Sequence, residues 1–475
     1  MPAPRLLAAA PKVVNLGLDL FADDLRRRGV PVVSVDWAPP AGGDPALAAI
    51  LARLDEPAMR AKIDAANQTA LRRLLDADPV LVDVMPAGQA IPALGPRMML
   101  HAGPPIGWER MCGPLKGAIM GAAVLEGWAP DLAAAETLAA SGAIAFHPNH
   151  HFDAVGPMTG IITTSMPVLV VENRAFGNRA YCTLNEGLGK VMRFGGNDAE
   201  VLDRLRWLAA VLGPALGAAL RARGGLPLKP LIARGLTMGD EMHQRNVACT
   251  GLVVRALAPA LARAVTDAET LARILEFVSG NDQFFLNIAM AMGKAITDPA
   301  RGVAGSSLVV TMCRNGTDFG IRVAGCGDAW FTAPVEMPKG LYFPGYTEAD
   351  ANPDIGDSAI VETIGLGGFA MAASPAVAGF VGAGGMADAI GYTRSMEQIT
   401  AGRNPEWTIP AIDFGGAATG IDVRKVVETG VLPVINTGIA HRQPGIGQVG
   451  AGVVRAARGC FTGALVALAK SLGVS

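Results

Sequence analysis

The sequence predicts a mixed α/β protein: an N-terminal Rossmann-like unit, a composite α/β body, and a helical subdomain inserted in that body. Three observations predict this. Residues 12 to 37 alternate strand, helix and strand. Gly, Pro and short β-branched runs dominate residues 101 to 195 and 301 to 475. Between them, residues 196 to 300 carry long helical periodicity. The expected domains are 1–100, 101–195, 196–300 and 301–475, with the second and fourth forming one body. At 475 residues the chain exceeds one ordinary core.

Each element has a local reason. "KVVNLGL" is apolar and β-branched, "FADDLRRRG" is amphipathic and closes on Gly29, and "VPVVSVDW" is a second buried-type strand. "DPVLVDVMPAG", residues 78 to 88, reads as a third strand of the same unit. One glycine, Gly17, stands in the first turn, so no phosphate grip is evident there. "NDAEVLDRLRWLAAVLGPALGAALRARGG" leads the helical stretch. "SSLVVTMCRNGTDFGIRVAG" predicts a hairpin, because Asn315-Gly316 suits a type I′ turn between two β-rich runs. In the last fifty residues "VLPVI" reads as a strand and "VVRAARGCFTGALVALAKSL" as a helix.

Composition excludes several classes. The formal net charge of -2 gives no electrostatic footprint for nucleic acid. Charged residues are 17%, against about 25% in ordinary proteins, so partner subunits are expected to cover part of the surface, in an oligomer. The start "MPAPRLLAAAPKVV" lacks a cleavage site, and no signal peptide is expected. Two uncharged stretches, 154–171 and 363–387, are flanked by acids and broken by prolines, so no membrane span is expected. Six scattered cysteines without a C-x-x-C pair read as buried thiols of a reducing cytosol, not as disulfides or a zinc site.

Between the last strand and helix, Gly445, Gly447 and Gly450 spell G-x-G-x-x-G. A dinucleotide site needs an acidic residue about 20 positions on, at the end of a second parallel strand. That position falls in "LVALAK", just before Ser475. The expected role is instead an anion nest at a helix N-terminus, with Asn436, His441 and Arg442 beside it.

Three more constellations carry chemistry. In "TMGDEMHQRNVACTG", Asp240 is expected as an N-cap and Glu241 opens a helix. His243, Asn246 and Thr250 then share one face, and Glu241 and Arg245 another. The alternative is a solvated first turn with an internal ion pair, and either way the cluster is expected to be cheap to the fold. "FHPNHHFDAVG" brings together His147, His150, His151 and Asp153 without the spacing of a helical metal site; an ordinary surface loop, a catalytic or substrate-binding His and a metal ligand set all remain open. In "NPDIGDSAIVETIGLGG", Asp354, Asp357 and Glu362 are either divalent-ion ligands or, for Asp357 and Ser358, helix caps. Asn315 reads as a turn residue and Lys294 as a helix C-terminal charge.

Six segments in order, "GPMTGIITTSMPVLVVEN", "LNEGLGKVMRFG", "MGDEMHQRN", "RGVAGSSLVVTMCRNGTDFGIR", "DIGDSAIVETIGLGGFAM" and "NTGIAHRQPGIGQVGAG", resemble the YlbE-like proteins found beside FdrA-type subunits. The resemblance runs from about residue 100 to the C-terminus. It implies a cytoplasmic subunit of a carbamoyltransferase that exchanges oxalurate and phosphate for oxamate and carbamoyl phosphate in anaerobic purine (allantoin) breakdown. It also implies an FdrA-like partner and a third subunit. The Ser-Thr-Arg-Thr phosphate loop of other carbamoyltransferases is missing from the sequence.

Carbamoyl transfer needs groups for phosphate, for a carboxylate and for the oxyanion, and a base. The expected assignment gives phosphate to Gly445, Gly447 and Gly450 with Arg442 or Arg322. The carboxylate goes to Arg245. His441 or His243 is the base, with Glu241 in the catalytic set, and His151, Asn246 and Asn436 orient the substrate. No cofactor and no metal are expected. The alternatives are a Rossmann-type nucleotide-binding oxidoreductase and a non-catalytic scaffold subunit of an FdrA-type complex.

Overall fold

A computed structural model describes residues 12–35, 38–382 and 384–474. The expectation of no signal peptide, which rests on the first residues, and the end of the second predicted strand at Asp36 and Trp37, lie outside them.

The protein is mixed α/β, as its sequence predicts. Strands Val13–Leu16 and Val32–Val35 pair in parallel across helix Asp19–Arg27. The third predicted strand does not join them. Pro79–Pro86 sits inside a five-stranded sheet, antiparallel to Pro167–Asn173 on one side and Leu226–Pro227 on the other. Burial explains the difference. Val80, Leu81 and Val84 are at most 3% exposed, and a strand this apolar needs cover on both faces. The Rossmann-like unit of 1–100 is therefore corrected to a small strand–helix–strand module ahead of the body. Helix Pro57–Leu75 belongs to that body: its buried Asn67 reaches Ser307 and Asp422.

At the centre lies helix Phe284–Thr297, buried at all 14 positions. A helix apolar all round belongs in a core. It packs against helix Pro57–Leu75 and four strands of the five-stranded sheet. The 196–300 stretch is thus helical as expected, but its last helix is the core of the body. Helices Ala199–Arg223 and Val247–Ala264 are long and apolar enough to cross a membrane. They pack on each other and feed the same buried cluster. Stretches 154–171 and 363–387 form strands and short helices among their described residues.

The predicted hairpin forms, Val309–Asn315 against Asp318–Val323. Its turn is not type I′, since Gly316 has φ +83° while Asn315 has none of the positive φ that type I′ requires. Asn315 instead accepts the N–H groups of Thr317 and Asp318 on its side-chain oxygen. Lys294 sits in the last turn of its helix, as expected, but is fully buried against Asp298.

The largest correction is at the C-terminus. Residues 448–455 form a strand, antiparallel to Val434–Ala440 and to Lys339–Tyr342, and the last helix starts only at Arg458. Gly450 and Gly452 allow this, because a Cβ at either would overlap the backbone of the 339–342 strand.

Candidate functional site

The segment Asp240–Asn246 is a loop. Its helix begins at Val247, with Asn246 at the N-cap and no side-chain cap. The expected helical face of His243, Asn246 and Thr250 therefore does not exist. Two side chains shape the loop instead. Asp240 accepts from Cys249 N–H at 2.8 Å and pairs with Arg245 at 3.2 Å. Glu241 turns inward, fully buried, and its Oε1 accepts the backbone N–H groups of His243, Gln244 and Arg245. The expected pairing of Glu241 with the Arg245 side chain is corrected to Asp240–Arg245. Met242 holds φ +70°, a left-handed conformation that costs energy in a non-glycine residue.

Two distant segments close on this loop. Glu362, from the short helix Ile360–Thr363, places Oε1 2.7 Å from His243 Nδ1, both side chains being buried. The same oxygen accepts Gly368 N–H at 3.0 Å and Asn436 N–H at 3.3 Å. Asn436, in strand Val434–Ala440, donates its amide to Glu241 Oε2 at 2.8 Å. Gly367 is needed here: its φ is +58°, and a Cβ would overlap the Glu362 carboxylate. Burial pushes the Glu241 carboxyl up, opposed by His243, by the Arg245 N–H and by Asn436.

Glu362 Oε2, Asn436 Oδ1 and Asn246 Oδ1 are buried with no hydrogen-bond partner. Buried polar atoms without partners are ones that water or a ligand can satisfy. A cavity of 20 Å³, room for about one water, has His243, Gln244, Gln283, Ser358, Gln448 and Arg193 in its wall. A second cavity, of 120 Å³, shares Arg193 and Pro157 with it and also touches Thr159, Thr183 and Glu186.

Sequence reasoning missed Arg193 as a site residue, although "MRFG" stands in one of the family-like segments. It lies in the 3₁₀ turn Met192–Phe194, 6% exposed, with Nε and Nη2 donating to Gly187 O at 3.2 and 2.7 Å. Loss of water lowers its pKa to about 10. The Glu186 carboxylate bonds the backbone N–H of Met192 and Arg193 and fixes the turn.

Asp354, Asp357 and Glu362 do not share an ion. Asp354 pairs with the buried Arg314 at 2.6 Å, and Thr437 bridges the two. Asp357 accepts from Gly103 N–H, Gly156 N–H and Asn149, and burial lifts its carboxyl to about 6. Neither Asp357 nor Ser358 caps the following helix, whose N-cap is Ala359.

The remaining predicted residues lie elsewhere. His441 sits beside Asp350 (3.9 Å) and Tyr346, its Nδ1 accepting Gln443 N–H, and Arg442 is exposed. The anion nest loses its premise, because a strand and not a helix follows the turn. Gly445 N–H donates to Gly195 O and Gln448 N–H to Gly189 O, while Gly450 is paired within the sheet. Gly447 serves close packing, since a Cβ there would stand 2.8 Å from Gly189 O. Arg322 and His151 do meet, around Trp330: the indole N–H donates to His151 Nε2 at 2.9 Å and the guanidinium lies 5.5 Å from the ring. The predicted set thus divides into three places. Glu241, His243, Asn246 and Asn436 form one group, while the Arg245 side chain turns to Asp240.

Comparison with known proteins places the chain among relatives. The family "Oxamate carbamoyltransferase subunit AllG" matches residues 144–358. The Escherichia coli (strain K12) protein of that name is 53% identical over 411 residues, which is 86% of this chain and 98% of its own. The uncharacterized protein YahG of the same strain is 44% identical over 462 residues, 97% of this chain and 98% of its own. The crystal structure of a conserved protein of unknown function from Enterococcus faecalis V583 superposes with a TM-score of 0.85 at 48% identity, over 86% of this chain and 98% of that one. A chain this similar over nearly the full length of a curated relative belongs to the family of oxamate carbamoyltransferase subunit AllG.

Proposed function

We propose that this chain carries the carbamoyl-transfer site of an oxamate carbamoyltransferase, and that the site lies between His243, Glu362 and Arg193. The observation that carries the proposal is the buried His243–Glu362 pair, whose imidazole stands in a cavity wall and whose neighbours Asn246 and Asn436 carry buried oxygens without partners. Such a pair orients an imidazole for proton transfer.

In the direction that consumes oxalurate, a phosphate oxygen attacks the ureido carbonyl. The C–N bond to the oxamate nitrogen breaks. The proton of hydrogen phosphate passes through His243 to that nitrogen, giving oxamate and carbamoyl phosphate. Arg193 holds the oxamate carboxylate, since its side chain is desolvated and the residue lines both cavities. The reaction serves allantoin breakdown in the cytoplasm, with an FdrA-like subunit and a third chain as partners.

A second observation favours a shared site completed by those partners. Val14, Leu16, Leu18, Leu20, Phe21 and Val33 of the N-terminal module are each more than 60% exposed. Parallel strands are ordinarily covered on both faces, so these residues suit a subunit contact.

The test is carbamoyl phosphate formation from oxalurate and phosphate, by this chain alone and with its partners. Arg193→Gln should raise the KM for oxalurate by about 10- to 100-fold. Full turnover in both Arg193→Gln and His243→Ala would place the chemistry in another subunit.

A further inference from the structure

We propose that His150, Cys313 and Asp357 bind one zinc-class divalent cation as a structural clasp, a site separate from the carbamoyl-transfer centre. The three come from different elements: a 3₁₀ turn, the middle of strand Val309–Asn315, and the turn after strand Ile355–Gly356. Their ligand atoms lie within 4.8 Å of one another, and all three side chains are fully buried.

The observation that points to a ligand is His150. Both of its ring nitrogens are buried and without a hydrogen-bond partner. Its Nε2 stands 3.6 Å from Asp357 Oδ1, beyond a hydrogen bond. Tetrahedral zinc with its usual bond lengths separates a nitrogen and an oxygen ligand by about 3.4 Å, so this gap is the one a metal spans. An imidazole, a thiolate and a carboxylate are a donor set that suits zinc, and the two anions neutralise its charge.

The surroundings support the ligands. Asp357 is oriented by Gly103 N–H, Gly156 N–H and Asn149, which is how outer groups hold a metal-bound carboxylate. The cations near His150 each carry a carboxylate partner: Lys294 with Asp298, Arg301 with Asp298 and Asp328, and Arg322 with Asp328. Full burial of the ligands makes the role structural: the ion ties the 149–152 turn to the 309–323 hairpin. The lack of sequence spacing follows, because ligands from three segments carry no short motif.

The test is elemental analysis of the full chain, purified without chelator, followed by cobalt(II) titration of the metal-stripped protein. Roughly one zinc per chain and a thiolate-to-cobalt charge-transfer band are expected. Cys313→Ala should lose that band and lower metal affinity by about tenfold or more, while Cys249→Ala, elsewhere in the core, should keep both. Should Cys313→Ala fail to fold, the wild-type chain decides. A band that appears on cobalt addition, with Cys313 then protected from alkylation, supports the clasp. Wild-type protein that is metal-free as purified and binds neither zinc nor cobalt overturns it, as does unchanged binding in a folded Cys313→Ala.

Discussion

His243 Nδ1 lies 2.7 Å from Glu362 Oε1, and neither side chain reaches water. A carboxylate only accepts, so beside an ionised Glu362 the Nδ1 carries the hydrogen of this pair, and the proposed proton transfer uses Nε2. Glu362→Gln tests the relationship. An amide oxygen can still accept from Gly368 and Asn436, so the fold should lose only about 1 kcal/mol. Turnover of the assembled enzyme should fall by about 10²–10⁴-fold. Unchanged kcat would make the pair a structural one.

Glu241 is not a solvated first-turn residue. Three backbone N–H groups and the Asn436 amide converge on its carboxylate. Glu241→Ala should therefore cost about 3 kcal/mol or more, seen as an earlier midpoint in urea unfolding. Glu241→Gln should recover most of that, because the Asn436 amide can rotate to meet it. Equal, small losses in both would restore the solvated-turn view.

Gly447→Ala should destabilise the chain by about 1–3 kcal/mol, since φ is +113° and the new methyl would press on Gly189. Phosphate affinity should not change directly, because the backbone there is engaged with its neighbours. Isothermal titration and thermal unfolding on the same variant separate the two effects. A selective loss of phosphate binding in a stable variant would revive the anion nest.

His101 sets an acid limit on stability. It is fully buried, and burial lowers its pKa from an ordinary 6.5 to about 4, with His147 and His151 adding to the fall. A depressed folded-state pKa stabilises above the unfolded value and loses that contribution as pH falls. Stability should therefore drop by about 3 kcal/mol between pH 6.5 and 4 through this residue alone. Urea midpoints measured across that window should flatten in His101→Gln; an identical slope would assign the acid lability to other groups.

Local chemistry was readable where neighbours in sequence are neighbours in space. The 309–323 hairpin and the strand, helix and strand of residues 13–35 follow from short-range pattern. Strand or helix at 448–455 was not readable. Its Val, Ala and Gly suit either, and pairing with two other strands decided the matter.

The sequence by itself determined which residue types can do chemistry and which segments belong to one family. Only the tertiary structure decided which of them meet. His243 and Glu362 are 119 positions apart, and Glu241 and Asn436 are 195. His441 stands five residues from Asn436 yet faces Asp350 instead. The physical reason is that a turn of chain reverses direction within a few residues, whereas a buried polar group must find its partner wherever packing of the whole core places one.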